Sequence, residues 1–212
     1  LTDRAAAEGI PEPRIMQSNG GIASADTVRD RAVGTTLSGP AAGVIGASRA
    51  ARAVSDADDR PGFVTFDMGG TSSDVSLIRD GDAERTTDTT IDGIPIRTPM
   101  VDINTIGSGG GSIAWIDSGG ALRVGPRSAG ADPGPACYGN GGEEPTVTDA
   151  NVVLGYVGES TTLGGELSVD VAAAEAVLED LADEAGLESA RAAARGVHRV
   201  ANAKMTRAIR EI

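Results

Sequence analysis

The chain has 212 residues, enough for one or two domains, and carries 18 basic and 31 acidic residues for a formal net charge of -13. Such a field repels nucleic acid and anionic membranes, and the dispersed acids read as a strongly hydrated surface kept soluble in concentrated salt, which screens the self-repulsion. The lone Cys137 excludes an internal disulfide and a cysteine-rich metal knuckle; no stretch approaches a membrane span and no secretory or transit signal is legible, so a cytoplasmic protein is expected.

Residues 1–13 are polar and broken by Pro11 and Pro13, which predicts a loose lead-in to a domain covering 14–212. SNGG at 18–21 reads as a turn. Ser38, Gly39 and Pro40 announce a helix to about Val54, with Ser38 as cap and Pro40 in the first turn. Gly43, Gly46, Ala47 and Ala50 give that helix a face nearly free of side chains, suited equally to tight packing and to a ligand. SDADDRPG at 55–62 reads as a solvated connector.

Strands are expected at 62–67 and 73–79, turned at Gly69 and Gly70, with a hairpin turn at RDGD, 79–82. Extended segments over 83–105 are interrupted by Gly93, Pro95 and Pro99. After GSGGGS at 107–112 come two extended pieces joined at Gly119-Gly120, then an ordered Gly- and Pro-dense loop over 125–145. Thr148 is expected to cap a short helix through Leu154. Asp170 caps a longer one to Ala185, with Ala174, Leu178, Leu181 and Ala185 as its apolar stripe. A final helix over 189–211 brings Val197, Val200, Ala201, Met205, Ala208 and Ile212 to one side, where the stem of Lys204 covers the stripe and its amine stays wet. Aromatics are only 2% while hydrophobic residues are 40%, so the core must be small aliphatic residues and closely packed backbone. The first residue is Leu rather than Met, and the helical pattern still runs at Ile212; both read as marks of a piece of a longer protein.

Chemistry concentrates in FDMGGTSSDVSLI, 66–78. Gly69 and Gly70 let backbone amides converge on an anion, and Thr71, Ser72 and Ser73 add hydroxyls. Asp67, at a strand end, is placed to hold a divalent metal directly or through water. Asp74 is the second candidate catalytic carboxylate; it orients a hydroxyl or water, or braces the turn. A plain Asx-type turn in a hairpin fits the same residues. In GSGGGS, Gly107, Gly109, Gly110 and Gly111 suit either close passage to a nucleotide or a small-residue backbone crossing; the run matches neither the lysine-containing phosphate loop nor a dinucleotide fingerprint. Cys137 has no histidine near it in sequence and reads as buried packing. His198, the only histidine, reads as a surface or cap residue, so any metal site rests on carboxylates, hydroxyls and water.

Several long phrases, MQSNGG, TLSGPAAGVIGA, FDMGGTSSDVSLI, INTIGSGGGSIA, SAGADPGPACYG and EPTVTDANVVLGY, occur in one order. From about Arg14 to Ile212 the chain resembles the hydantoinase A / 5-oxoprolinase family, which includes N-methylhydantoinase and acetone-carboxylase subunits. The resemblance implies an α/β chain forming part of an actin-like, sugar-kinase and 70-kDa heat-shock ATPase fold, with a mixed sheet flanked by helices. It implies that Asp67, Gly69, Gly70, Thr71 and Ser72 form the second-lobe phosphate loop, and that Gly107, Gly109, Gly110 and Gly111 belong to a nucleotide- or substrate-facing crossing. The family's first phosphate loop is absent from this sequence. The implied chemistry is ATP- and Mg²⁺-dependent opening of a cyclic amide such as a hydantoin or 5-oxoproline, through carbonyl phosphorylation and with a hydantoinase B-type partner subunit. A carboxylase subunit and a non-catalytic nucleotide-binding module are the alternatives. Asp102 is carried over as a site neighbour. Asn104 stands where the family commonly has His, and an amide cannot serve as a base near neutral pH.

Overall fold

The computed structural model describes residues 1–54, 62–91, 93–158, 162–163 and 167–212. The chain divides into two units. One comprises Leu1–Asp67 and Asp74–Asn104 with Ile212; the other comprises Met68–Ser73 and Thr105–Glu211.

In the first unit the expected loose lead-in contains a helix, α1 (Thr2–Ala7), because TDRAAA is alanine-rich and places Asp3 in the first turn; Pro11 and Pro13 lie beyond it. The SNGG turn joins β1 (Ile15–Met16) and β2 (Ile22–Ala23), paired antiparallel. Helix α2 (Ala25–Asp30) follows, capped by the Ser24 hydroxyl on the Thr27 amide, and then a 3₁₀ turn over Ala32–Thr35. Helix α3 spans Ser38–Val54. Ser38 lies inside it rather than capping it, since the Ala41 amide already bonds to the Leu37 carbonyl. Ala41, Val44 and Ser48 are buried, whereas Gly43, Gly46 and Ala50 are exposed. The connector expected at 55–62 lies, except for Gly62, outside the described residues.

Strands β3 (Phe63–Met68) and β4 (Ser73–Arg79) form where expected. They are neighbours in a sheet of order β10-β4-β3, with β5 (Asp82–Ala83) also on β4. Asp80 and Gly81 take positive φ, 52° and 78°, so RDGD makes a two-residue hairpin turn in register Arg79↔Asp82. The segments β6 (Arg85–Thr86), β7 (Thr89–Ile91), β8 (Ile94–Ile96), β9 (Met100–Val101) and β10 (Asn104–Ile106) follow. Pro95 does not interrupt its segment: it pairs with Thr90 in the β7–β8 hairpin, a two-stranded ribbon that has an open edge for a residue without an N–H. Ala41, Val44, Ile78 and Val101 are the buried centre of this unit.

In the second unit β11 (Ser112–Ile116) and β12 (Leu122–Ser128) pair antiparallel around Gly119-Gly120. Asp117 organises that turn by accepting from the amides of Gly119 and Ala121 and from Arg123. The Ala121 amide, then the Arg123 side chain, hold its carboxyl below the ordinary aspartate range. The segment expected as a loop over 125–145 is strand up to Ser128 and carries a 3₁₀ turn at Ala136–Tyr138. Helix α4 (Val147–Leu154) is capped by Thr146, not Thr148, through a reciprocal box with Asp149. After the short β13 (Thr162–Leu163) and β14 (Leu167–Ser168), α5 (Val171–Ala185) starts on the Asp170 cap and α6 (Ala190–Arg210) on the Ser189 cap. Helices α4, α5 and α6 meet β11 and β12 in a core dominated by Ala114, Ala150, Ala182, Ala193, Ala194 and Ala201, with Leu178 and Val197 fully buried. The Lys204 amine does not simply stay wet: it donates to the Val124 carbonyl.

Asp149 is fully buried and accepts four hydrogen bonds: from the amides of Ala136 (3.4 Å), Cys137 (2.8 Å) and Thr146 (2.9 Å), and from the Thr146 hydroxyl (2.7 Å). One carboxylate thus fixes both the start of α4 and the 3₁₀ turn. Asp149→Ala leaves those donors without acceptors and is expected to cost about 3 kcal/mol or more, against about 1 kcal/mol for loss of the cap hydroxyl in Thr146→Val. Urea unfolding followed by Trp115 fluorescence, which reports on the second unit, checks both.

Candidate functional site

The turn between β3 and β4 is closed by the Gly69 amide, which donates to the Ser72 carbonyl at 2.9 Å. Beneath it runs the glycine stretch after β10. The Gly110 amide donates to the Gly69 carbonyl at 3.0 Å and the Gly111 amide to the Gly70 carbonyl at 2.6 Å. The Ser73 hydroxyl adds a bond to the Ser108 carbonyl at 2.5 Å. A β-carbon on Gly109 would lie 2.7 Å from the backbone of Gly69 and Gly70, and one on Gly111 3.1 Å from the Gly70 oxygen. These two glycines are therefore demanded by a backbone-to-backbone crossing. Gly110 is pressed from the other side, where a β-carbon would meet the Thr148 hydroxyl at 2.8 Å. Both the amide and the hydroxyl of Thr148 bond to the Gly110 carbonyl, at 2.8 and 2.9 Å. Gly107 is exposed and faces Pro126 at ordinary contact.

Gly70 differs from the glycines under it. Nothing lies within 4 Å of where its β-carbon would be, and its φ is not positive. Among the described residues, the amides of Gly70, Thr71 and Ser72 donate to no protein acceptor, and the side chains of Thr71 and Ser72 have no partner. The carbonyls of Gly69, Gly70 and Ser72 are thus bonded to protein, while three successive amides and two hydroxyls of the loop have no partner among the described residues. That is the donor set of an anion-binding nest.

The two candidate carboxylates lie in the first unit. Asp67 and Asp74 line one cleft of about 300 Å³ with Pro40, Gly43 and Ala47 of α3 and Thr65 of β3. A β-carbon on Gly43 would stand 3.5 Å from the Asp67 carboxylate, so the outward small face of α3 forms part of the cleft wall. Asp67 is exposed and Asp74 half-buried. Asp102 and Asn104 do not line this cleft. Asp102 is exposed; its carbonyl accepts from the Ser76 hydroxyl at 2.6 Å, and its amide bonds to Glu84. Asn104, half-buried, opens β10.

Cys137 is packed with Val152 and Ala174, and burial, together with the neighbouring Asp149 carboxylate, pushes its thiol far up. That is an inert packing residue. His198 meets Asn202 and lies 5.2 Å from the Tyr156 ring. Gly125 and Thr148 were not singled out as site supports in the sequence. Gly125 has φ +62°, and a β-carbon there would lie 2.5 Å from the Gly107 carbonyl. The T-x-x-D spacing at 146–149 is the signal that would have moved the helix cap to Thr146 and left Thr148 for another task.

Comparison with known proteins places this geometry in context. The model of the hydantoinase/oxoprolinase family matches residues 3–212. The chain is 43% identical over 206 residues to the caprolactamase subunit alpha of Pseudomonas jessenii, covering 96% of this chain and 29% of that subunit. It is 48% identical over 142 residues to 5-oxoprolinase 1 of Arabidopsis thaliana, covering 67% of this chain and 11% of the relative. The nucleotide-free structure of an ATP-dependent acetone carboxylase superposes with a TM-score of 0.85 at 29% identity, over 99% of this chain and 29% of that one. The chain therefore spans less than a third of the length of these relatives. The expected α/β class and actin-like ATPase-type fold are borne out by this likeness.

Gly109→Ala must part the crossing and is expected to destabilise the second unit by about 2 kcal/mol or more, whereas Gly46→Ala, in open space on α3, is expected to stabilise by about 0.5–1 kcal/mol; denaturation midpoints distinguish them. Cys137 is expected to resist iodoacetamide in the native protein throughout pH 7–9, since raising its pKa keeps the thiol neutral there, and to label fully in denaturant, as mass spectrometry would read.

Proposed function

Because the chain belongs to the hydantoinase/oxoprolinase family, we propose that it is part of an ATP-dependent enzyme that opens a cyclic amide of the hydantoin, 5-oxoproline or lactam type. The observation that carries this reading is the loop 69–72: its Gly69 and Gly70 carbonyls are tied down by Gly110 and Gly111, while the amides of Gly70, Thr71 and Ser72 have no protein partner among the described residues. Donors fixed before a phosphate arrives need no reorganisation to grip it.

In this proposal the amides of Gly70, Thr71 and Ser72 hold phosphate oxygens, and the Thr71 hydroxyl adds a donor to phosphate or to metal-bound water. Gly107, Gly109, Gly110 and Gly111 act from behind, as a rigid floor. Asp67 is the residue that would hold Mg²⁺, with Asp74 in the same cleft to orient its water. No group of three or more His, Cys, Asp or Glu suited to a metal is present among the described residues. One or two carboxylates suit Mg²⁺, which keeps much of its water and takes further oxygens from phosphates. When bound, MgATP supplies the phosphoryl group that makes a ring carbonyl, a poor electrophile, open to attack by water. Asp102 and Asn104 are kept as substrate neighbours, with Asn104 in a hydrogen-bonding role only. A hydantoinase B-type subunit is the proposed partner; the caprolactamase relative is itself a subunit.

Carboxylation is the second reading, favoured by the likeness to acetone carboxylase. Ring opening is preferred because the matching family model is that of hydantoinases and oxoprolinases; identity does not separate the readings, at 43% to the caprolactamase subunit and 42% to the acetophenone carboxylase gamma subunit of Aromatoleum aromaticum. A nucleotide-binding module without turnover is the third.

The test is ADP release by the complete protein with its partner subunit, in Mg²⁺ and concentrated salt, across hydantoins, 5-oxoproline, lactams, and bicarbonate with a ketone. Stimulation by one ring compound, reduced roughly 100-fold or more by Asp67→Ala, is the expected outcome. Stimulation only by bicarbonate and ketone would establish the carboxylase instead, and nucleotide binding without turnover the module. Gly70→Ala is expected to leave the melting temperature unchanged while weakening ATP binding about tenfold, since its methyl enters space that only a ligand would use.

A further inference from the structure

The first unit carries another cleft, of about 420 Å³, that the proposed reaction does not use. It lies where α3 meets the β4–β5 turn and the Gly20 turn. Three guanidinium groups line it, those of Arg49, Arg52 and Arg85, against one carboxylate, Asp82; Ile45 and Ala83 add an apolar wall. In a chain of net charge -13, three arginines around one cleft with a single acid are the reverse of the general surface.

Arg52 is held in place. Its Nε donates to the Gly81 carbonyl at 2.8 Å and its Nη2 meets Asp82 at 2.6 Å. The buried Ser48 hydroxyl bonds to the same Gly81 carbonyl at 2.7 Å. The turn exposes that carbonyl because Asp80 and Gly81 are both left-handed. A β-carbon on Gly81 would lie 2.9 Å from Arg52 Nε, so the guanidinium rests against bare backbone. Asp82 is thereby committed to Arg52. The side chains of Arg49, three residues earlier on the same helix face, and of Arg85 have no hydrogen bond or ion pair with another described residue.

We propose that this cleft binds a small, doubly charged anion, gripped by Arg49 and Arg85 and positioned by Arg52. The guanidinium fork pairs in bidentate fashion with both carboxylates and phosphates, and the volume falls in the range of small-molecule sites, about 300–1,000 Å³. The site is distinct from the loop 69–72 and stands whether or not that loop binds nucleotide.

Isothermal titration of the chain at low ionic strength, with pyrophosphate and separately with glutarate, tests it and tells the phosphate source from the carboxylate source. The expected result is a site for at least one probe that is weakened at least tenfold in R49A/R85A, partly retained in R49K/R85K, and still filled at one equivalent in T71A, whatever the loop 69–72 takes up besides. Loss of binding in T71A with retention in R49A/R85A would assign the anion to the loop 69–72 and overturn the proposal. So would the absence of heat with both probes. Should R49A/R85A fail to show a native melting transition, R85Q alone, at an exposed strand position, replaces it; unchanged binding there and in R49Q overturns the assignment equally.

Discussion

Two strands of backbone without side chains cross at 69–70 and 109–111, and much of the second unit is arranged to permit that crossing. The bonds from Gly110 and Gly111 to Gly69 and Gly70 need the chains closer than any β-carbon allows. Close approach leaves no room for water between them, so each peptide group there must find a protein partner. Thr148 meets that need on the far side by placing its amide and its hydroxyl on the Gly110 carbonyl. Thr148 can do so because α4 starts at Val147, and α4 starts there because Thr146 and Asp149 close its first turn. Asp149 then reaches the Ala136–Tyr138 turn. A single chain of hydrogen bonds runs from the candidate phosphate loop, through the glycine floor and a helix N-terminus, to a buried carboxylate.

The same economy of side-chain volume governs the core. With so few aromatics, α4, α5 and α6 are held by alanines that let helix backbones approach, and Gly196 faces the Leu122 side chain on β12 at a distance that leaves little room for a methyl group. Small residues supply modest apolar area each, but close-packed neighbours recover dispersion contacts that larger, looser side chains would forfeit. The described ion pairs are largely exposed and contribute little by comparison. What specifies the structure is therefore backbone geometry and satisfied polar groups more than bulk hydrophobic burial.

Charge has a different role at each place. Spread acids make the general surface repulsive to other anions, so a phosphate-bearing ligand must be met by local donors rather than by the field of the whole molecule. The loop 69–72 offers neutral amide dipoles. The cleft at α3 offers guanidiniums. Neither depends on a titrating group near neutral pH, and the one thiol is withdrawn into the core with its proton kept on.

Much of this was legible in the sequence, and the residues that escaped share a reason. Asp170 sits beside the helix it caps, Asp80-Gly81 carries its own turn, and the apolar spacing of α5 states which face is buried; all are relations among residues a few positions apart. The family phrases likewise named Asp67, Gly69, Gly70 and Thr71 as candidates. The α4 cap was misplaced by two residues because Thr146 and Thr148 are both competent, although the local T-x-x-D spacing at 146–149 marks Thr146; only the role of Thr148 on the Gly110 carbonyl lay beyond local pattern. Local pattern left the outward face of α3 undecided between packing and ligand, since a glycine face looks the same in either. It could not show that Gly109 and Gly111 serve a backbone crossing while Gly70 stands open, because the atoms that make the difference come from segments distant in the chain. Local pattern alone was enough for the helices α3, α4, α5 and α6, for the turns at 18–21 and 79–82, for the small-residue core and for the family resemblance, but not for α1 and α2. Tertiary structure alone decided which glycines are forbidden a side chain by protein and which are left clear, since steric exclusion exists only between groups that folding has brought together.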